Sequence, residues 1–213
     1  MTMVQVYNED CMAAMAKMED NTFDLAIVDP PYGNIDAIGL SDCVNKNKQA
    51  TKRTQYKQFE NIAPSKQYFQ ELFRVSKKWI VWGGNFFGIS GGVIAWNKHG
   101  TAFGEGEIAI CNTHKSVRFF DYTWNGMIQE NMKYKEQRIH PTQKPVALYK
   151  WLLSKYAKKG WVILDTHLGS GSSAIAAHEL GFNFVGYELD TDYYNDALKR
   201  LHRHQRQLRL FVD

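Results

Sequence analysis

No apolar run in the 213 residues approaches the roughly 20 that a bilayer-spanning helix requires, so no membrane segment is expected. Cysteine is scarce. Cys11, Cys43 and Cys111 form an odd, scattered set that gives neither a disulfide framework nor metal-ligand spacing, so no metal is expected and a reducing cytosol is the expected compartment. The opening Met1-Thr2-Met3-Val4-Gln5-Val6 lacks the basic stretch and apolar run of a secretion signal, so secretion is not expected. There is no internal repeat and no low-complexity tract. Acidic residues are missing between Cys43 and Phe59, where Lys46, Lys48, Lys52, Arg53 and Lys57 gather. The net charge of +4 is compatible with a polyanionic partner without identifying one.

What is present describes one globular domain over 1–213, since 44% of the residues are hydrophobic and the length suits a single buried core. The last third reads most easily. Val146 to Ala157 has helical apolar spacing, and Trp161 to Leu164 is a short strand ending at Asp165. A Gly/Ser turn leads into a helix from Ser172 to Leu180, stopped by Gly181; Phe182 to Tyr187 is a second strand and Thr191 to about Arg206 an amphipathic helix. Strand, glycine turn, helix, strand is a βαβ unit, which implies a parallel α/β sheet. Upstream, Val4 to Tyr7, Phe23 to Val28 and Trp79 to Trp82 read as strands, and Cys11 to Met18 and Ser65 to Lys77 as helices. Gly92 to Trp96 and Gly106 to Cys111 suggest an antiparallel pair, leaving Asn34 to Pro64 and Asn112 to Pro141 as long irregular connections.

In Asp165-Thr166-His167-Leu168-Gly169-Ser170-Gly171-Ser172 a strand feeds a glycine turn that opens a helix. Glycines there admit close approach of a ligand to the backbone, and the helix start offers unpaired N–H groups. Glu188 closes the next strand, about 20 residues on, where a carboxylate can accept from ribose hydroxyls. From these residues alone a nicotinamide cofactor or a plain structural turn also stays open.

Asp29-Pro30-Pro31-Tyr32 follows the apolar Leu25-Ala26-Ile27-Val28. Asp29 and Pro30 each precede a proline and are stiffened, leaving the Asp29 side chain and the Pro30 carbonyl as acceptors at the C-terminal edge of the sheet. Two acceptors beside the Tyr32 ring suit a planar group bearing an amine, with Asp29 ionised if its pKa stays at the ordinary value of roughly 3.9. A Pro-Pro turn closing a strand fits the same four residues.

Together the segments resemble the DNA amino-methyltransferases that modify the exocyclic nitrogen of adenine or cytosine. Asp29 to Tyr32 resembles their catalytic motif, and Asp165 to Gly171 their cofactor motif, with Thr166 and His167 in place of the usual Pro and Phe. His140-Pro141-Thr142-Gln143-Lys144-Pro145 resembles the segment that holds the methionine carboxylate, through Thr142 and Lys144. Asn8-Glu9-Asp10-Cys11 resembles the element that meets the cofactor adenine, and Trp82-Gly83-Gly84-Asn85 is similar to phage-type members. Catalytic motif first and glycine turn last is the circularly permuted β order. The resemblance implies a Rossmann-like, seven-stranded, circularly permuted S-adenosylmethionine-dependent fold. It implies catalysis by Asp29, Pro30, Pro31 and Tyr32, and cofactor contacts from Asp10, Cys11, Asp29, Thr142 and Lys144. The remaining cofactor contacts would come from Asp165, His167, Gly169, Ser170, Gly171, Ser172, Glu188 and Leu189. The implied reaction moves a methyl group from S-adenosylmethionine to a flipped-out adenine in double-stranded DNA, inside a bacterial or phage-infected cell. Cytosine-N4 methylation and an inactive nucleic-acid-binding scaffold remain open beside it.

Lys46, Lys48, Lys52, Arg53 and Lys57 lie in the loop 34–63 after the catalytic segment and are expected to contact DNA phosphates, although a solvated basic loop has the same composition. Residues 112–139 are expected to carry target recognition, with Trp124 to Arg138 as candidates for base-edge contact. So little chain is available for recognition that the target is expected to be short, or a homodimer to share the grip. His167 is expected to pack, Tyr193 and Tyr194 to lie in core or rim, and Lys199 to Arg206 to form a solvent-facing helix surface.

Overall fold

A computed structural model describes residues 2–33, 61–101, 104–125 and 128–208. In chain order they form β1 (Val4–Tyr7), α1 (Cys11–Met15), β2 (Leu25–Val28), α2 (Lys66–Val75) and β3 (Trp79–Trp82). A 3-10 turn (Gly84–Phe87) precedes β4 (Gly92–Thr101), β5 (Gly104–Cys111), β6 (Val117–Asp121), β7 (Trp124–Asn125) and β8 (Ile128–Gln129). The chain then makes α3 (Val146–Tyr156), β9 (Val162–Asp165), α4 (Ser172–Leu180), β10 (Asn183–Tyr187) and α5 (Thr191–Leu208).

The main sheet runs β1-β10-β9-β2-β3-β5-β4-β6. The first five strands are mutually parallel, β5 is antiparallel to both β3 and β4, and β6 is parallel to β4. β6 is thus an eighth strand added beyond the seven of the expected plan. Alternation along β2 explains why all four of its residues are buried. Leu25 and Ile27 pack with Leu148, Leu152, Ile175 and Leu201 of α3, α4 and α5. Ala26 and Val28 pack with Met15, Tyr68, Leu72 and Val75 of α1 and α2. Helices therefore cover both faces, the arrangement that needs apolar residues at every position of a central parallel strand.

Several boundaries differ from the expectation. α1 stops at Met15 rather than Met18, and Asn21, with φ of 57°, turns the chain toward β2. β4 runs on to Thr101 through a register shift between Asn97 and Thr101. The connection expected to be irregular between Asn112 and Pro141 holds β6, β7 and β8. Its alternation is short and its outer residues, Val117 and Phe119, are exposed, so no buried stripe marks it in the sequence. The segment bearing Lys46, Lys48, Lys52, Arg53 and Lys57 lies outside the described residues.

Candidate active site

The chain reverses direction across the sheet between β9 and β2. From β9 it crosses through α4 to β10 on one side, and from β2 through α2 to β3 on the other. A crevice opens at such a switch point beyond the C-terminal strand ends, where ligands of doubly wound sheets bind. The register places the relevant residues along that edge: Tyr7 pairs with Tyr187, Gly186 with Asp165, Ala26 with Leu164, and Val28 with Val81. Asp10, Glu188, the Asp165 to Gly171 turn and Asp29 to Tyr32 thus follow the ends of β1, β10, β9 and β2, with Gly83 after β3.

Asp29 was expected to offer a free carboxylate of ordinary pKa, and the structure shows something else. The Lys144 Nζ donates to Asp29 Oδ2 at 2.6 Å, and the Tyr32 hydroxyl donates to Oδ1 at 2.8 Å. Burial pushes the Asp29 carboxyl above the usual carboxylate range, and Lys144 opposes that rise. Lys144 also pairs with Glu107 Oε2 of β5 at 2.9 Å, and Glu107 pairs with Lys98 of β4. Burial would lower the Lys144 ammonium, but its two carboxylates hold it up at about 12. For Glu107 burial works upward, yet Lys144 and Lys98 hold it down to about 2. The four side chains form an ion chain that crosses from β4 to the end of β2. Removing one partner from such a buried pair costs about 3–5 kcal/mol, because it strands the other charge.

The Tyr32 ring packs on Phe86 and Phe87, with centroids 5.3 and 6.2 Å away. Its niche exists because position 83 has no side chain. A Cβ on Gly83 would lie 2.6 Å from Tyr32 Cζ and 2.7 Å from Cδ1, and nearer still to Cε1. Gly83 also has φ of +65°, which a non-glycine residue adopts only under strain.

At the glycine turn, Gly169 and Gly171 have φ of 51° and 73°. Asp165 Oδ1 accepts from the His167 N–H at 3.0 Å and Oδ2 from the Ser173 hydroxyl at 2.6 Å. Burial raises the Asp165 carboxyl to about 7. Glu188 Oε2 accepts from the Gly169 N–H at 2.8 Å and Oε1 from the Asp190 N–H at 2.9 Å, which aims the carboxylate along the turn. Each oxygen keeps lone-pair capacity for a further donor. Leu189 beside it is 72% exposed, an apolar side chain at the rim of the crevice. Asp10 caps α1 by accepting from the Met12 N–H at 2.8 Å. Burial, then Asp10, pushes the Cys11 thiol to about 12, so it is no nucleophile at neutral pH. His167 stands edge-on to Tyr68 at 5.3 Å, and burial lowers it to about 4. His140 brings its segment to the turn: its ring lies 3.9 Å from a Cβ built on Gly169, and its Nδ1 meets the Thr142 hydroxyl at 3.1 Å. Thr142 therefore sits near the glycine turn, whereas Lys144, two residues on, points at Asp29.

Sequence reading missed two residues here. Glu107 lies in an unremarkable strand, and its only signal is a charge at a position turned inward. Arg200 belongs to the run expected to face solvent, and Lys199, His202 and Arg203 do. Arg200 itself is buried, because it donates to the Ser170 carbonyl and the Ser172 hydroxyl at 2.8 Å each and to Glu136 Oε2 at 2.5 Å. Trp124 is likewise withdrawn from the surface offered for base contact: it is buried, with its indole N–H donated to the Gln143 carbonyl at 2.8 Å. Ile128, Met132 and Tyr134 are exposed large hydrophobic side chains of that stretch.

The model of the DNA methylase family matches residues 43–199, a span that leaves out Asp29 to Tyr32. Over 219 aligned residues the chain is 26% identical to YubD of Escherichia coli K12, a candidate methylase by name, with 93% of this chain and 90% of that one covered. The solved M1.HpyAVI-SAM complex shares the fold with a TM-score of 0.58 at 20% identity, covering 93% of this chain and 100% of the other. The cytosine-N4-specific PvuII DNA methyltransferase does so with a TM-score of 0.58 at 10% identity, covering 97% and 93%.

Proposed function

The chain belongs to the DNA methylase family, and we propose that within it the protein is a site-specific adenine-N6 methyltransferase of double-stranded DNA. One observation carries this reading. The strand ends at the switch point bring Asp29 to Tyr32 next to the glycine turn of Asp165 to Gly171, so an amine acceptor and a nucleoside-type site share one crevice. Adenine rather than cytosine follows from Asp29, the residue found at this place mostly in adenine enzymes of the family that the motif resembles.

The residues fit S-adenosylmethionine. The bare glycine backbone, the Glu188 carboxylate and the exposed Leu189 suit a ribose and an adenine, and Asp10 stands one strand further along. Thr142 and His140 lie beside the turn, where the methionine portion would pass. When bound, that cofactor supplies a sulfonium methyl group, already a strong electrophile. The protein must supply a nucleophile. The adenine amine is a poor one, because its lone pair is delocalised into the ring. Asp29 and the Pro30 carbonyl accept its two N–H groups and concentrate that lone pair, and positioning contributes most of the remainder. Asp29 Oδ1 accepts from the Tyr32 hydroxyl and keeps lone-pair capacity for the amine, and the Tyr32 ring covers the flipped base, which offsets part of a flipping cost of a few kcal/mol. The proton lost by the methylated nitrogen passes to Asp29 or to water. Phosphate contact by the basic residues 46–57 and target reading by the 112–139 segment complete the proposal.

The test is transfer of labelled methyl from S-adenosylmethionine to DNA from a methylation-free host, with mass analysis of the nucleosides. N6-methyladenine is expected, and Asp29→Ala should abolish transfer while largely keeping cofactor binding. N4-methylcytosine alone would overturn the base assignment, and transfer at the wild-type rate by Asp29→Ala would overturn the mechanism.

A further inference from the structure

We propose that Glu107 is a positioning residue for the reaction: working through Lys144, and itself held by Lys98, it sets how readily Asp29 ionises and where its carboxylate points. The inference rests on the adenine-amine reading above and deepens it.

The geometry is that of a chain with alternating charge. Lys98 meets Glu107, Glu107 meets Lys144 at 2.9 Å, and Lys144 meets Asp29 at 2.6 Å. Lys144 is 4% exposed and Lys98 12%, so water screens these pairs poorly. The Lys144 ammonium also lies 5.4 Å from the Trp82 ring and 5.9 Å from the Tyr32 ring. Lys144 pairs with two carboxylates on separate elements, and one of them is Asp29. Glu107 divides the attraction of Lys144. Without it, Lys144 would bind Asp29 alone and hold the carboxylate away from an incoming amine. Without Lys144, the buried Asp29 would take up a proton and cease to accept. Among the described residues, the remaining groups that bear on Asp29 are the Tyr32 hydroxyl from its own segment and, at longer range, Tyr149 of α3, Asp165 at the end of β9 and Tyr68 of α2. None of these is a second cation.

The two removals act in opposite directions. Lys144→Met takes away the cation that favours ionised Asp29, so the acid limb of the rate profile should rise by about one pH unit or more. Glu107→Gln takes away a negative charge near Asp29, so the acid limb should fall. The alkaline limb should fall with it, because Lys144 keeps one carboxylate instead of two. Glu107→Asp should restore most of the wild-type profile.

The experiment is single-turnover methyl transfer across pH, using the full chain, labelled S-adenosylmethionine and unmethylated genomic DNA. Thermal melts of each variant establish that it folds. If Glu107→Gln does not fold, Lys98→Met takes its place; it leaves Glu107 less neutralised beside Asp29, so the acid limb should rise. Limb shifts of opposite sign in Lys144→Met and Glu107→Gln, or a rise of the acid limb in Lys98→Met where that variant takes its place, support the proposal. Unmoved limbs, or rates lowered equally at every pH, overturn it and leave Glu107 as architecture. A wild-type protein that transfers no label at any pH defeats the functional reading instead, so the two failures are distinguishable.

Discussion

Replacing Gly83 by alanine is expected to dislodge Tyr32, and Gly88 provides the matched control. Both glycines have left-handed backbone, with φ of +65° and +67°, at either end of the same 3-10 turn. A Cβ on Gly88 meets nothing within 4 Å, whereas one on Gly83 enters the Tyr32 ring. An alanine in that conformation costs about 1–2 kcal/mol. The stiffer unfolded chain returns roughly 0.4–1 kcal/mol of it. Gly88→Ala should therefore lose about 1 kcal/mol. Gly83→Ala should in addition lose the bond from the Tyr32 hydroxyl to Asp29, which with a charged acceptor adds about 1.5–3 kcal/mol. A chain of this size loses roughly 2–4 °C of melting temperature per kcal/mol. The melting temperature should thus fall by about 3 °C in Gly88→Ala and by about 9 °C in Gly83→Ala. Differential scanning calorimetry at neutral pH measures both. Equal shifts in the two variants would refute the reasoning, because backbone strain would then be the whole effect and the Tyr32 niche irrelevant to stability.

Two further perturbations follow from buried ionisable groups. His167 is held at about 4, below its ordinary 6.5, so it costs stability as pH falls from 6.5 toward 4, where the unfolded chain takes up a proton and the folded one does not. His167→Asn should flatten the stability profile in that window by roughly 1 kcal/mol per pH unit, read from urea unfolding at stepped pH, with no change expected above pH 7. Arg200→Met leaves Glu136 without its cation and the Ser170 carbonyl without its donor, and should lose about 3–5 kcal/mol in the same assay. The double variant Arg200→Met/Glu136→Gln should recover part of that loss, and no recovery would argue against the ion pair as its cause.

The parallel half of the fold was legible because its signals are local. The apolar run of β2 ends in two prolines, and the strand Val162–Asp165 ends in a glycine turn whose αL residues mark the start of α4. The bounds of β3 and α4 match the expectation. β6, β7 and β8 were hidden because they are short and β6 is mostly exposed, with no periodic apolar stripe to mark them. Asp29, Tyr32 and Glu188, which the structure brings to one edge of the sheet, were marked in the sequence by motifs. Their partners were not. Nothing in a linear sequence says that Lys144 turns to Asp29, 115 positions away, rather than toward the glycine turn, or that Arg200 alone among its basic neighbours points inward. Such pairings depend on which strand ends become neighbours, and that is decided by the whole sheet.

The neighbour relation of β2 and β9 also constrains how the molecule comes into being. The central strand Leu25–Val28 is made early, yet one of its two flanks is β9, tied to it through Val162 and Asp24 across 138 positions. Until the last third of the chain has left the ribosome, one edge of a wholly apolar strand has no mate. Such late, distant pairings slow folding and expose incomplete chains to association with one another. Neither an N-terminal nor a C-terminal fragment can assemble the crevice, so a chain interrupted in synthesis yields a sticky intermediate and no partial enzyme.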